Sequence, residues 1–437
     1  MVRKRRLYYN TAWLTLSSLL MEFIAMAFEA WLVGHIGTAG VGLFQLTMSV
    51  VMLAMTVAVS GVHFAATRLA SEEMGLERPG GVGCAMRACT RYALFFGFVS
   101  AAALFALAPS IGTHWISDTR AVRSLRICAL GLPCVALSSA LSGYFTASGR
   151  VWKSTVIHII EQLTTVLLAM LFIGRVEPGD IEGACAAVCL GRTAGDIVCA
   201  FFMLLAYRNE RRGGFVCADS TSYTPRLLRI ALPLAVSAYV RSALSTAQHL
   251  LVPSGLRASG YSYQAALAGY GIIQGMALPI LLFPACLTRS LAELIIPELT
   301  DAQMKRDKAG IRRTSNKLIY YNALFALAVS LALFVFAEKL SVAIYETAEA
   351  AQCIRLLAPL VPVMYTDTAV DGCLKGLGEQ AWCMGVNIVD ALIGLVMTWY
   401  LLPRYALTGY IVMIYVSECV NLALSAGRLV KVLNTEF

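Results

Sequence analysis

Charge is scarce in this sequence. Only 14% of its 437 residues are Asp, Glu, Lys or Arg, while 58% are hydrophobic. That balance excludes an ordinary soluble domain and a disordered chain. The thirteen cysteines are odd in number and contain no CxxC pair, so no disulfide framework is expected. Cys185 and Cys189 lie one helical turn apart and read as small buried hydrophobes. No His/Cys spacing has the form of a metal site, and neither a P-loop nor a dinucleotide fingerprint occurs. The sequence therefore offers no place for ATP coupling, a resident cofactor or a bound metal. The net charge of +9 needs no nucleic-acid partner, because its distribution has another explanation.

What is present is apolar length. Mean hydropathy is +0.70, and runs of roughly 20 residues recur, each enough to cross a hydrocarbon core of about 30 Å. Twelve are expected, near residues 11–33, 40–68, 86–109, 124–147, 152–174, 182–207, 227–252, 264–296, 316–337, 352–374, 382–402 and 408–430. The basic start, Met1 to Arg6, resembles a signal peptide, but no small-residue cleavage site follows. It reads as the beginning of a retained first helix. With a cytoplasmic N-terminus, cytoplasmic segments hold about 23 of the 35 basic residues, which is the positive-inside bias. Both termini are then expected in the cytoplasm. Attraction to anionic lipid is the only further role this charge suggests.

The sequence also repeats itself. An offset of 229 residues maps Gly42 and Gln45 onto Gly271 and Gln274. The same shift maps Arg126, Pro133, Gly143 and Gly149 onto Arg355, Pro362, Gly372 and Gly378, and Glu161 onto Asp390. A repeat this long is a duplicated domain, not a solenoid unit. The expected fold is an all-α membrane protein of two six-helix lobes, residues 1–207 and 224–437. A polar, basic cytoplasmic linker at 208–223 joins them. Six is even, so the lobes share one orientation, and a parallel repeat about the membrane normal follows. Duplicated membrane lobes with a site between them are the plan of secondary transporters. The paired prolines, with Pro279 and Pro284 in span 8, either serve packing or belong to a moving architecture.

Ionisable residues inside spans are costly unless they face a cavity or a partner, about 2.5–3.5 kcal/mol each on insertion scales. Glu22 and Glu29 are seven apart on span 1, and His158 and Glu161 three apart on span 5. Asp367, Asp371 and Lys375 run down one face of span 10, and Arg241 and His249 share a face of span 7. Arg289–Glu293 and Arg192–Asp196 have the spacing of intrahelical ion pairs, which leaves a structural role open for them. Lys375 and Arg68 sit near cytoplasmic ends, where snorkelling or anchoring would suffice. Glu22 and Glu29 have no cation one turn away on their own helix.

The stretch from Gly260 to Gln303 closely resembles the stage V sporulation protein B family, whose pattern there is YG...GMA.P...FP..LT.SL...IIP. It is carried by Tyr270, Gly271, Gly275, Met276, Ala277, Pro279, Phe283, Pro284, Leu287, Thr288, Ser290, Leu291, Ile295, Ile296 and Pro297. The segment Gly42–Glu73, with its Ser60–Gly61 step and Arg68–Leu69–Ala70 ending, is similar to that family's second helix. That family belongs to the multidrug/oligosaccharidyl-lipid/polysaccharide exporter superfamily. The resemblance implies two lobes around a central cavity, and movement of a polyprenyl-pyrophosphate-linked sugar between leaflets. Arg68, Arg241 and Arg289 match the cavity arginines of the flippase relatives, where a planar fork would pair with pyrophosphate. Asp367 and Asp371 join them as substrate-site candidates.

The run from Glu29 to Gly37, EAWLVGHIG, resembles instead the multidrug-and-toxin-extrusion branch. There an acidic residue five before the first glycine binds the coupling cation. Glu29 has that spacing before Gly34, and Glu161 lies on the helix of a second acidic ligand. The resemblance thus implies Na⁺ or H⁺ coupling through Glu29 and Glu161, expected together in the N-terminal lobe. The second lobe is expected to lack this pair, because the offset carries Glu29 onto Ala258. A multidrug antiporter is the alternative function. A membrane-embedded enzyme with His158 or His249 as base is a minor one, and no catalysis is expected. A monomer is favoured.

Overall fold

The computed structural model describes residues 2–77, 79–177, 179–211 and 223–435. Helices account for nearly all of them, and no strand occurs among the described residues. In chain order they are α1 (Val2–Val59), α2 (Val62–Gly75), α3 (Pro79–Ser110), α4 (Ala121–Ala147), α5 (Val151–Ile173), α6 (Ile181–Arg211) and α7 (Thr224–Ala258). There follow α8 (Tyr263–Ile272), α9 (Leu278–Leu282), α10 (Ala285–Met304), α11 (Lys308–Tyr345), α12 (Ala351–Leu357), α13 (Val361–Gly376) and α14 (Gln380–Thr435). The expected linker lies largely outside the described residues.

Among the described residues, ten continuous helical stretches are long and apolar enough to span a membrane, against twelve runs in the sequence. The difference lies in two rods. Leu16–Gly75 has 60 residues and Gln380–Asn434 has 55. At 1.5 Å per residue each would exceed ~80 Å, far more than one crossing of a ~30 Å core can hold. Each is broken by a non-helical residue, Gly37 (φ 68°) in α1 and Ala406 (φ 50°) in α14. These breaks fall between the sequence runs on either side. Prolines act as expected on span 8: a π-turn at Ile273–Ala277 precedes Pro279, and α9 ends just before Pro284. Most cysteines are buried free thiols, as small hydrophobes should be. Cys84 departs from that reading and is disulfide-bonded.

By proximity the chain groups into two units. One comprises Met1–Ser17 and Leu46–Thr246, the other Ser18–Gln45 and Ala247–Phe437. The grouping therefore does not follow the linker. It divides the first and seventh spans in the same register, since Ser17 and Thr246 are related by the repeat offset.

Contacts within each unit repeat as well. In the first, a Cβ on Gly143 would sit 2.6 Å from the His63 carbonyl oxygen. In the second, a Cβ on Gly372 would sit 3.3 Å from the Ala292 carbonyl oxygen. Gly372 and Ala292 are the offset mates of Gly143 and His63. The fourth helix of each repeat thus crosses the second at the same glycine. The duplication read from sequence is a duplication of packing.

Candidate functional site

Two clusters of ionisable side chains lie inside the helices. The first is built on α5 and α6. His158 and Glu161 are three apart on α5, so both project to one side, and His158 Nδ1 lies 2.8 Å from Glu161 Oε2. Asp196 and Cys199, also three apart, project from α6 toward them. Cys199 Sγ is 3.8 Å from His158 Nδ1, and the buried Asp196 carboxylate lies beside Glu161. The two helices approach closely because Gly191 and Gly195 face the α5 backbone, where a Cβ would crowd Thr165 and Glu161. Arg192 does not close an ion pair with Asp196, as their spacing predicts. Its Nη2 points at Met55 Sδ, 3.3 Å away, while its charge is felt by both carboxylates.

The second cluster belongs to the other unit. Asp367 and Asp371 on α13 face Asp390 and Glu418 on α14, all within electrostatic reach. Ser417 Oγ donates to Asp390, and Lys375 pairs with Asp371 at 3.3 Å. One oxygen of Asp367 is buried without a hydrogen bond. The second repeat is expected to lack the Glu29–Glu161 pair, not acids in general, because the offset carries Glu29 onto Ala258. It lacks a counterpart of Glu29, but Asp390, the mate of Glu161, has gathered Asp367 and Glu418. Glu418 was missed because nothing nearby in sequence marks it.

Glu29 lies on α1. It is grouped with the second unit, half-buried, and its Oε1 accepts from Gln45 Nε2 at 2.5 Å. Gly275 and Tyr345 of that unit lie nearby. Glu161 is grouped with the first unit. Glu29 has Gln45 as its partner and Glu161 has His158.

The three arginines differ in what holds them. Arg68 is exposed and pairs with Glu72, one turn on, at 3.1 Å. Arg289 pairs with Glu22 at 3.4 Å, and not with Glu293, four residues on, as the spacing predicts. The partner comes from a distant part of the chain, so spacing could not reveal it. Arg241, in the middle of α7, is exposed and makes no ion pair among the described residues. The two histidines considered as bases have ordinary partners, Glu161 for His158 and Tyr270 for His249, whose Nδ1 is 3.1 Å from the Tyr270 hydroxyl.

Helices of spanning length with ionisable clusters inside them make this an integral membrane protein. The model of the polysaccharide biosynthesis protein family matches residues 7–288, well over half of the chain. The chain belongs to that family. The MatE model matches residues 256–400, so the second repeat carries the likeness to the extrusion branch as well. Stage V sporulation protein B of Bacillus subtilis (strain 168) is 23% identical over 408 residues, covering 91% of this chain and 78% of that protein. Two solved structures share the fold. A multidrug resistance MATE family transporter of the MOP superfamily, in an inward-facing conformation, superposes with a TM-score of 0.73 at 14% identity, covering 97% of this chain and 100% of the other. The lipid II flippase MurJ, in an inward closed conformation, gives 0.74 at 11% identity, covering 95% and 87%. The family resemblance read from Gly260–Gln303 is thus borne out, and the chain shares the fold of these two membrane proteins.

Proposed function

We propose that this protein moves a polyprenyl-pyrophosphate-linked oligosaccharide or peptidoglycan precursor across a bacterial plasma membrane. The two six-helix lobes, residues 1–207 and 224–437, alternate access to a site between them. The chain acts as a monomer with both termini cytoplasmic, and performs no catalysis. The observation that carries the reading is Arg241. A guanidinium in the middle of an apolar spanning helix is costly unless it meets water or an anion. Arg241 is exposed and has no carboxylate partner among the described residues, in a chain of the polysaccharide family. A pyrophosphate supplies the missing anion, and the planar fork donates to two of its oxygens at once. Arg68 and Arg289 add positive charge when the substrate displaces Glu72 and Glu22. Asp367 and Asp371 bind sugar hydroxyls, and Na⁺ or H⁺ taken up at Glu29 and Glu161 biases the lobe equilibrium.

The test is complementation of a flippase-deficient strain. Arg241→Ala should abolish growth while the protein remains folded in the membrane, and Arg241→Lys should restore it only in part. Full complementation by the Arg68, Arg241, Arg289 triple alanine protein would sink the assignment. A second reading, a multidrug antiporter, is favoured by Glu29 at its spacing before Gly34 and by the MatE match. It requires accumulation of a cationic dye to fall when the chain is expressed, and to recover in Glu29→Gln.

A further inference from the structure

The cluster on α5 and α6 has a composition that a pyrophosphate-lipid transporter does not need. Two short spacings face each other across packed helices: His158 with Glu161, and Asp196 with Cys199. An i, i+3 pair puts both side chains on one face, and two such pairs opposed supply four ligands to one point. This is how helical bundles build metal centres from side chains on facing helices. The nitrogen, the sulfur and a carboxylate oxygen of His158, Cys199 and Glu161 all lie within 4.8 Å of one another.

We propose that the first unit holds a thiolate-ligated transition-metal site of the Zn²⁺ type between α5 and α6. Its ligands are His158, Glu161 and Cys199, with Asp196 completing the shell. The distances suit it. Tetrahedral bonds of 2.0–2.3 Å place neighbouring ligand atoms about 3.3–3.8 Å apart. The Cys199–His158 separation is 3.8 Å. The His158–Glu161 separation is 2.8 Å, and it must open by about 0.5 Å as the metal replaces that hydrogen bond. Burial decides the charge. Two carboxylates and a thiolate carry three negative charges, and Arg192 returns one. A divalent ion leaves the set neutral, which an apolar interior requires. On binding, the Cys199 thiol gives its proton to solvent. His158 is the half-open side, with a side chain 39% exposed, and offers an entry path. Ser138 approaches the sulfur from α4 and can orient it as an outer partner.

Ligand chemistry separates this from a coupling-ion site. Na⁺ prefers oxygen donors, whereas imidazole and thiolate select Zn²⁺ and its neighbours in the transition series. The inference does not rest on the transport reading, and its readout is independent of transport.

The experiment is Co²⁺ titration of the purified full-length protein after chelator treatment, in high Na⁺. One Co²⁺ per chain should bind, with the intense visible bands of a tetrahedral ion and a near-ultraviolet thiolate-to-cobalt band. Stoichiometric Zn²⁺ should erase both. Cys199→Ser should lose the near-ultraviolet band, and Cys419→Ser, at an exposed cysteine, should keep it. His158→Gln should weaken binding by at least about tenfold, the loss that even outer-shell changes cause. If Cys199→Ser does not fold, the Zn²⁺-induced rise in melting temperature of wild type, absent in His158→Gln, reads the same site. Absence of the thiolate band in wild type, its survival in Cys199→Ser, or a melting rise unchanged in His158→Gln would overturn the proposal. So would displacement of Co²⁺ by Na⁺, which would mark an oxygen-only cation site.

Discussion

Gly42 and Gly271 are offset mates that pack directly against each other. A Cβ on Gly42 would strike the carbonyl oxygen of Leu267, and a Cβ on Gly271 would strike the carbonyl oxygen of Thr38. Thr38 and Leu267 are themselves related by the offset. Residue i thus meets j′ while i′ meets j, which is the contact pattern of a two-fold axis. The same pattern joins two copies in a symmetric dimer, and here the copies are halves of one chain. Close backbone approach of this kind needs residues without side chains, as at small-residue contacts between membrane helices.

Gly42→Ala and Gly271→Ala should therefore each destabilise the protein by about 1–3 kcal/mol, the usual range for overpacking. Because both press on one contact, the double variant should lose clearly less than the sum of the single losses. Thermal unfolding in detergent measures both effects. Melting temperatures unchanged from wild type would show that the backbones separate without cost.

The duplication was legible because glycine and proline positions are fixed by backbone geometry and survive divergence in register. The all-helical, membrane-spanning character was legible because hydrocarbon thickness sets run length. Partners of charged residues were legible only when they lay on one helix, as with Asp371 and Lys375. Arg289 pairs with Glu22 and not with Glu293, and Glu29 with Gln45, and partners distant in sequence leave no spacing to read. His158 and Cys199 are 41 residues apart, so no ligand spacing exists to be read.

Arg226 at the start of α7 reaches two acids of α2, Glu72 at 2.7 Å and Glu73 at 3.7 Å. Glu73 is 3% exposed, and its Oε2 has no hydrogen bond. Arg226→Ala leaves that buried carboxylate without its cation. The expected loss is about 1–3 kcal/mol, the desolvation cost of an unsatisfied buried group. Glu73→Gln in the Arg226→Ala background should recover much of it, because a neutral amide is cheaper to bury than a charge. Unfolding measurements on the two proteins give the comparison, and equal stability would remove the ion pair from the account.

Asn322 ties three helices together. Its Oδ1 accepts from Thr288 Oγ1 at 2.8 Å, and its Nδ2 donates to the Tyr365 carbonyl oxygen at 2.8 Å. The knot is buried, so water cannot replace either bond. Asn322→Leu should cost about 1–3 kcal/mol by orphaning the Tyr365 carbonyl. Asn322→Asp should cost more, since it adds charge and removes the donor. The order of melting temperatures, wild type above Leu above Asp, checks this. Asp equal to wild type would mean that the site admits water.

Glu29 and Gln45 supply the sharpest test of ion coupling. Gln45 Nε2 donates to Glu29 Oε1 at 2.5 Å, a charge-assisted bond when the acid is ionised, worth about 1.5–3 kcal/mol. If Glu29 takes up the coupling ion, the amide positions it and is not itself essential. Gln45→Ala should then shift the Na⁺ or H⁺ concentration that half-saturates transport by roughly tenfold, the equivalent of 1.4 kcal/mol, and keep the dependence. Glu29→Gln should abolish the dependence, because the amide neither titrates nor carries charge. Glu161→Gln answers the same question for the first unit, where His158 and Asp196 are the neighbours. Transport, or substrate-dependent melting, measured across Na⁺ and pH separates the cases. Wild-type dependence in Glu29→Gln and in Glu161→Gln would leave both acids structural. Loss in one alone would assign the coupling to that unit.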